Sequence, residues 1–322
     1  MTTSSLKKPS PHHRKALPCP HCGPQAATIR YGFQKNKRQR YQCKQCGKTF
    51  NQYTKTAFAG LHTRTGQIAF VVQGLCENLS MRAIRRLLKF KRRETVNWLM
   101  RAAQSARAFT ERRLKNIQEP FLEFDELYTF IVCKAFRVYV WTAMDAVTKT
   151  WLVVHISIER TTDEAKKVFQ TVGRRVNNPV GASSDGLHEY ATLMHARYPE
   201  VPYAQIVKKY ENHRLVSVEK KQVSKHTVAD VEFVLSKLGL GAELNNSAIE
   251  RLNATLRCFL AVLNRRTLKF SKHAGHLEAL LALFRAYYNF CLTHRELRTT
   301  PSCAAGVCRR PLSLREILME RA

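Results

Sequence analysis

The 322-residue sequence has no apolar run long enough for a membrane span. Its apolar stretches, such as Val138-Tyr139-Val140-Trp141, fall far short of the ~18–20 residues required. No apolar segment follows the basic residues between Met1 and Lys15, so no secretory signal is read and a cytoplasmic location is expected. Acidic residues are scarce: 24 Asp+Glu stand against 54 Lys+Arg, a formal charge of +30 with a pI near 10.1. The scarcity is uneven. Residues 1–120 carry 4 acidic and 25 basic groups, net +21, whereas residues 121–322 carry 20 and 29, net +9. Such an excess self-repels unless it meets a polyanion, so nucleic acid is the expected partner, bound in a strongly salt-dependent way. With 44% hydrophobic and 24% charged residues, the chain can bury a sizeable core, and disorder of the whole is excluded. Only residues 1–16, rich in Lys, Pro, Ser and His, read as a disordered basic tail.

Ten cysteines in a cytoplasmic chain are not read as disulfides. Four form two CxxC pairs, Cys19-Pro-His-Cys22 and Cys43-Lys-Gln-Cys46. Each pair aims two thiolates at one point, and the intervening segment fits a short hairpin, so residues 17–55 are expected to be a four-cysteine zinc ribbon. Gly23 and Gly47 follow the pairs and supply the freedom that the knuckle turn needs. His21 reads as a bystander. The segment is too small for a core of its own, so zinc should supply its folding free energy. Between the knuckles, Tyr31, Phe33 and Tyr41 flank a basic tip with Lys37, Arg38 and Arg40, the composition of a DNA-contacting ribbon. Cys303 and Cys308 lack a second pair and read as incidental. Cys76, Cys133, Cys258 and Cys291 read as buried thiols.

Residues 60–119 read as helical. Gln67–Leu75 has an apolar face, Ser80 is a candidate N-cap, and Ala83, Ile84, Leu87 and Leu88 recur at helical spacing. A following helix should bury Val96, Leu99 and Met100. Arg85, Arg86, Lys89, Lys91, Arg92 and Arg93 cluster at the intervening turn, which makes a helix-turn-helix DNA-binding region and linker the expectation.

From residue 121 the pattern changes to an α/β order over 120–295. Strands are expected over 121–128, 137–144 and 151–156, then a helix over 163–176, a strand over 180–184, a helix over 188–197, a strand over 204–207 and a long helix from about Asn246. Three carboxylates gain interest from this order: Asp125 within the first strand, Asp185 at the end of the fourth before Gly186, and Glu250 early on the long helix. If the first and fourth strands are neighbours, these three converge, and converging carboxylates call for hard cations such as Mg²⁺. Glu123, Glu126, Asp145 and Asp163 remain competitors on this ground alone. Residues 296–322 read as a C-terminal extension.

The order of these motifs resembles the DDE transposases of the insertion-sequence-one family of bacterial mobile elements. The resemblance rests on the double CxxC with Gln39-Arg40-Tyr41-Gln42-Cys43, on the helix-turn-helix, and on Asp125-Glu126. It also rests on Glu159-Arg160-Thr161, Ser184-Asp185-Gly186, Ile249 to Arg257, and Leu268 to Lys272, covering most of residues 17–295. It implies an RNase H-like, retroviral-integrase-like catalytic domain in which Asp125, Asp185 and Glu250 hold two Mg²⁺ ions, with Mn²⁺ as substitute. It also implies recognition of the element's terminal inverted repeats by the N-terminal part. Cleavage would leave a 3′ hydroxyl that attacks target double-stranded DNA, with no covalent protein intermediate. Arg251, Asn253 and Arg257 would lie on or near the exposed side of the Glu250 helix. The two arginines would contact phosphates, and Arg265, Arg266, Lys269 and Lys272 would extend that basic surface. Pairing two DNA ends implies at least a homodimer, working at the bacterial nucleoid. Two other classes share these features: a non-catalytic zinc-ribbon regulator derived from a transposase, and an RNase H-like nuclease that cuts without joining.

Overall fold

A computed structural model of the chain describes residues 17–321 except 213, 265, 266 and 268, with the backbone alone for 210. The tail over 1–16 and the expected basic residues Arg265 and Arg266 lie outside the described residues, as does Leu268. The chain divides into two compact units, one ending at His62 and taking in Arg321, the other spanning Thr63–Glu320.

The first unit is a small antiparallel sheet of β1 (Thr28–Phe33), β2 (Gln39–Cys43) and β3 (Thr49–Phe50), in that order. Gly23 (φ 85°) and Gly47 (φ 70°) take the left-handed conformation, and their N–H groups donate to Cys19 O (3.0 Å) and Cys43 O (2.9 Å). Two equivalent knuckles result. Among the described residues, Cys19, Ala26, Cys43 and Phe50 form its buried apolar cluster around the knuckles.

The second unit opens with three helices, α1 (Thr65–Cys76), α2 (Met81–Leu88) and α3 (Arg92–Arg113). Ser80 is the N-cap of α2: its Oγ accepts from the Ala83 N–H at 3.1 Å. Lys89 ends α2 in the left-handed conformation (φ 60°). The buried faces differ from the expected ones. Ile84 is the buried residue of α2 while Leu87 is exposed, and α3 buries Thr95, Trp98 and Leu99 while Met100 is exposed.

The remainder is mixed α/β, in the order β4 (Ile117–Gln118), β5 (Phe121–Ile131), β6 (Cys133–Asp145), β7 (Thr150–Ser157), α4 (Thr162–Gly173), β8 (Val176–Asn177), β9 (Gly181–Asp185), α5 (His188–Arg197), β10 (Tyr203–Glu211), β11 (Arg214–Gln222), α6 (Val228–Lys237), α7 (Ser247–Phe259), α8 (Ala274–Phe290), α9 (Pro301–Ala304) and α10 (Leu314–Met319). Six strands form one sheet ordered β11-β10-β9-β5-β6-β7. β5, β9 and β10 run parallel, whereas β6, β7 and β11 are antiparallel to their neighbours. The expected adjacency of the first and fourth long strands is therefore present, with Phe124 beside Ser184.

Side-chain alternation along β5 builds the layers. Leu122 and Phe124 join a core with Val168 and Phe169 of α4 and Tyr190 and Met194 of α5. Glu123 and Asp125 point to the other face and meet α7. On that face α8 is fixed to the edge strand β7: buried Asn289 accepts from the Trp151 N–H and donates to the Trp151 carbonyl, both at 2.9 Å. α8 also packs along α3, and Phe109, Phe290 and Ile317 tie α3, α8 and α10 together. The helical region and residues 296–320 are thus integral to this unit rather than a separate domain and an extension. Asp145 serves the β6–β7 turn, accepting from the N–H groups of Phe121, Val147 and Thr148. Asp163 is exposed and pairs with Lys166 at 3.0 Å. Among the described residues no helix is long and apolar enough to cross a membrane.

Candidate metal centres

Cys19, Cys22, Cys43 and Cys46 gather so that their four sulfurs lie within 4.8 Å of one another. The Cys19–Cys46 Sγ separation is 3.9 Å. A Zn–S bond of ~2.3 Å gives a tetrahedral edge of about 3.8 Å, so this donor set fits zinc. Burial pushes the Cys19 thiol up, but the N–H groups of His21 and Cys22 outweigh it and hold the thiol down at about 7. His21 itself is exposed and outside the sulfur group. Cys303 and Cys308 belong to no such group among the described residues, and Cys258, expected to be buried, is exposed.

The second centre lies where β5 and β9 run side by side. Carboxylate oxygens of Asp125, Glu126 and Asp185 lie within 4.8 Å of one another. They line a cleft of about 780 Å³ that also takes in Arg160, Lys208, Glu250, Asn253 and Arg257. Each carboxylate is held differently. Asp125 accepts from the Glu126 N–H (2.8 Å) and from Asn253 Nδ2 (2.6 Å). Asp185 accepts from the Leu187 N–H at 3.2 Å. Glu126 pairs with Arg160 and accepts from Tyr190 Oη at 3.0 Å. Gly186 is not among the glycines with positive φ. Its missing Cβ instead leaves room for Val207, 3.0 Å from where that atom would lie.

Burial, reinforced by the charge of Asp185, pushes Asp125 up to about 7 and Glu126 up to about 8. Asp185 is raised as well, chiefly by burial. Carboxyl groups that resist ionisation because they are dry and crowded are what a hard cation with oxygen ligands relieves. The donor set therefore fits Mg²⁺ or Mn²⁺. No family model and no curated protein matches the chain, so the chemistry must be argued from these groups.

Glu250 occupies the same cleft from the first turn of α7, but it stands outside the close group and pairs with Lys208. The competitor Glu126 takes the third position at short range. Glu123, another competitor, is buried and pushed up to about 8 by that burial. It accepts from the Ile249 N–H at 2.6 Å and so anchors the start of α7, an acid at a helix N-terminus.

Asn253 is the largest departure from expectation. It is buried, not solvent-facing, and its Nδ2 donates to Asp125. Its stripe position on α7, between Leu252 and Leu256, was the only available signal. Arg257 lines the cleft, half-buried, whereas Arg251 is exposed outside the cleft lining. Arg160 was visible only as part of the family resemblance. Its pairing with Glu126, and the capping of α4 by the adjacent Thr161, give that segment a structural reason.

The other basic residues fall into two groups. Arg85, Arg86, Lys89, Lys91, Arg92 and Arg93 are all exposed around the end of α2 and the start of α3. Lys37 is exposed at the ribbon tip, but Arg38 donates to Leu61 O (3.2 Å) over the Tyr53 ring, and Arg40 donates to Tyr31 O (3.1 Å). Lys269 is exposed beside an apolar groove that Arg92 also lines.

Proposed function

We propose that the protein is a DDE-type transposase that cuts and joins DNA phosphodiesters with divalent cations. The observation that carries this reading is the pairing of Asp125 and Asp185 on adjacent parallel strands, at the floor of a cleft rimmed by Arg160, Lys208 and Arg257. The sheet order supports an RNase H-like architecture: an antiparallel β5–β6–β7 meander is extended by parallel β9 and β10, with α7 crossing beside Asp125. Asp125 and Asp185 would hold the cations, and Glu250, which here pairs with Lys208, would complete the donor set. Asn253 fixes the Asp125 carboxylate, and Glu123 fixes α7.

Bound Mg²⁺ would supply Lewis acidity toward the phosphodiester and a water or 3′ hydroxyl nucleophile at neutral pH. Arg257 and Lys208 hold the phosphate backbone, positioning DNA without reading its sequence. The zinc ribbon and the basic α2–α3 turn, read as a helix-turn-helix, recognise the terminal repeats. Target DNA follows into the same cleft, in an assembly of two or more copies.

The deciding experiment incubates the purified chain with Mg²⁺ and labelled DNA carrying the element's terminal repeat, beside Asp185→Asn. Joined products that vanish in the variant support the reading. Cutting without joining would make it a nuclease. Sequence-specific binding with no cutting, unchanged by Asp185→Asn, would overturn the catalytic assignment in favour of a regulator.

A further inference from the structure

A second polar cavity, of about 320 Å³, lies between α3, α4, α8 and β7 and shares no lining residue with the acidic cleft. Its interior holds two arginines whose side chains are only 2% (Arg175) and 5% (Arg285) exposed. Both point Nη2 at one oxygen of one carboxylate, Glu111 Oε1; the Arg285 contact is 3.3 Å. Arg285 Nη1 also donates to Leu152 O at 3.3 Å. Arg175 Nη1 and Arg285 Nε are buried without a hydrogen-bond partner among the described residues. Two more cations, Arg107 and Arg174, stand exposed at the rim. Against these four positive charges the lining offers only Glu111 and Glu278, both exposed. The remaining titratable group, His155, is engaged by Glu164.

Buried charges are ordinarily paired, because removing an ion from water is unfavourable unless a counter-charge compensates it. Two buried guanidinium groups sharing one carboxylate oxygen leave that pairing half complete. Burial, then the facing charge of Arg285, pull Arg175 down to about 9. Guanidinium groups offer planar forks of N–H donors suited to an oxyanion, and arginine is the preferred residue where phosphate is held bidentately. The cavity is at the lower end of the ~300–1,000 Å³ typical of small-ligand sites, so a phosphate group fits with its substituent toward the rim.

We propose that this cavity is a phosphate-binding site, separate from the acidic cleft, in which Arg175 and Arg285 form the floor and Arg107 and Arg174 the mouth. The phosphate is either free or a backbone phosphate of bound DNA. The site does not depend on the transposase reading.

The test titrates inorganic phosphate into the full chain by calorimetry, with chloride matching the ionic strength and no divalent metal or DNA present. One site per chain is expected. Arg107→Ala combined with Arg174→Ala, both exposed and tolerant, should weaken it about tenfold or more. Arg175→Lys, which keeps the charge but removes the fork, should weaken it as well. The remote pair Arg85→Ala with Arg86→Ala should leave it unchanged. A short random-sequence duplex that displaces phosphate from the wild type identifies DNA as the natural source, and phosphate undisturbed by the duplex identifies a free phosphate compound. No saturable binding, or equal binding in the Arg107/Arg174 double variant, would overturn the proposal and leave the arginines as a packing network. Because no metal or cleavage is involved, that failure would not touch the catalytic reading.

Discussion

Asp125, Glu126 and Glu123 occupy three positions of a single strand, and each is held in its protonated form well above its ordinary range, at about 7, 8 and 8. A carboxyl group whose folded pKa lies above its unfolded value binds its proton more tightly when folded. Its contribution to stability is whole below the unfolded pKa and is lost as pH rises toward the folded one. The metal-free protein is therefore expected to lose stability between about pH 5 and pH 8, by up to about 1.4 kcal/mol per pH unit for each proton retained. All three tryptophans, Trp98, Trp141 and Trp151, lie in the Thr63–Glu320 unit, so urea unfolding followed by tryptophan fluorescence reports on this unit alone. Millimolar Mg²⁺ should flatten the profile, and a metal-free curve that is level or rising toward pH 8 would contradict the burial argument. Asp185→Asn removes a charge that helps raise two of these groups while retaining the oxygen that accepts from Leu187. It is expected to stabilise the metal-free chain at pH 8 by about 1–2 kcal/mol while destroying cation binding, the usual exchange between stability and function. Asn253→Leu tests orientation: losing the 2.6 Å bond to Asp125 should weaken Mn²⁺ affinity about 10–100-fold in a spin-resonance titration. Unchanged affinity would reduce Asn253 to a packing role. Asp125 and Asp185 could be read from the sequence with the help of the family resemblance, since Glu123 and Glu126 interrupt the same apolar strand as Asp125. The role of Asn253 could not, since helical spacing shows that a position is inward but not which carboxylate it meets.

At the level of elements, the segments that bury an apolar face were the readable ones. β5, β6, β7, α4, β9 and α5 fall within a few residues of their expected bounds, and Ser80 caps α2 as its sequence suggests. β11 and α6 went unread. Every described position of β11 is exposed, Leu215, Val216 and Val218 included, so Arg214–Gln222 has no buried face, and its pairing is supplied by β10. α6 begins with a capping box of Thr227 and Asp230, but its core contribution is only Val231 and Leu235. The ribbon is the opposite case, legible from four cysteines and two glycines although the apolar cluster around its knuckles is too small to fold alone. Removing zinc with a chelator should unfold residues 17–62 without altering tryptophan fluorescence, because the other unit has its own core. Metal analysis should give one zinc per chain, and Cys46→Ser should behave as the chelated protein does. Amide exchange that stays protected in the ribbon after chelation would show that the sulfur cluster is dispensable.

For the whole molecule the controlling quantity is +30, and its distribution decides what binding depends on. A protein that neutralises 6–10 phosphates loses about 10³–10⁵ in affinity between 50 and 200 mM salt, so DNA binding here should be steeply salt-dependent. The basic residues are not equivalent in that effect. Lys91, Arg92 and Arg93 are exposed at the start of α3, and their cost in the absence of DNA is mutual repulsion. Arg38 and Arg40 already spend hydrogen bonds on Leu61 and Tyr31 and stack on Tyr53 and Tyr31. Replacing Lys91, Arg92 and Arg93 together by Ala should therefore lower the slope of log affinity against log salt by about 2–3, whereas Arg38→Ala should change it by less than about 1 and act mainly on ribbon stability. Fluorescence anisotropy with a random-sequence duplex over a salt series measures both. Helix N-termini favour anions, so a phosphate at the start of α3 would gain from the backbone N–H groups as well as from these cations. The helix-dipole part of that attraction is itself screened by salt, but the neutral N–H donors release no counterions of their own. The triple variant should accordingly retain measurable binding at low salt even as its slope falls. A slope unchanged by the triple variant would mean that the α2–α3 turn is a solvated basic face, with DNA carried elsewhere on the surface.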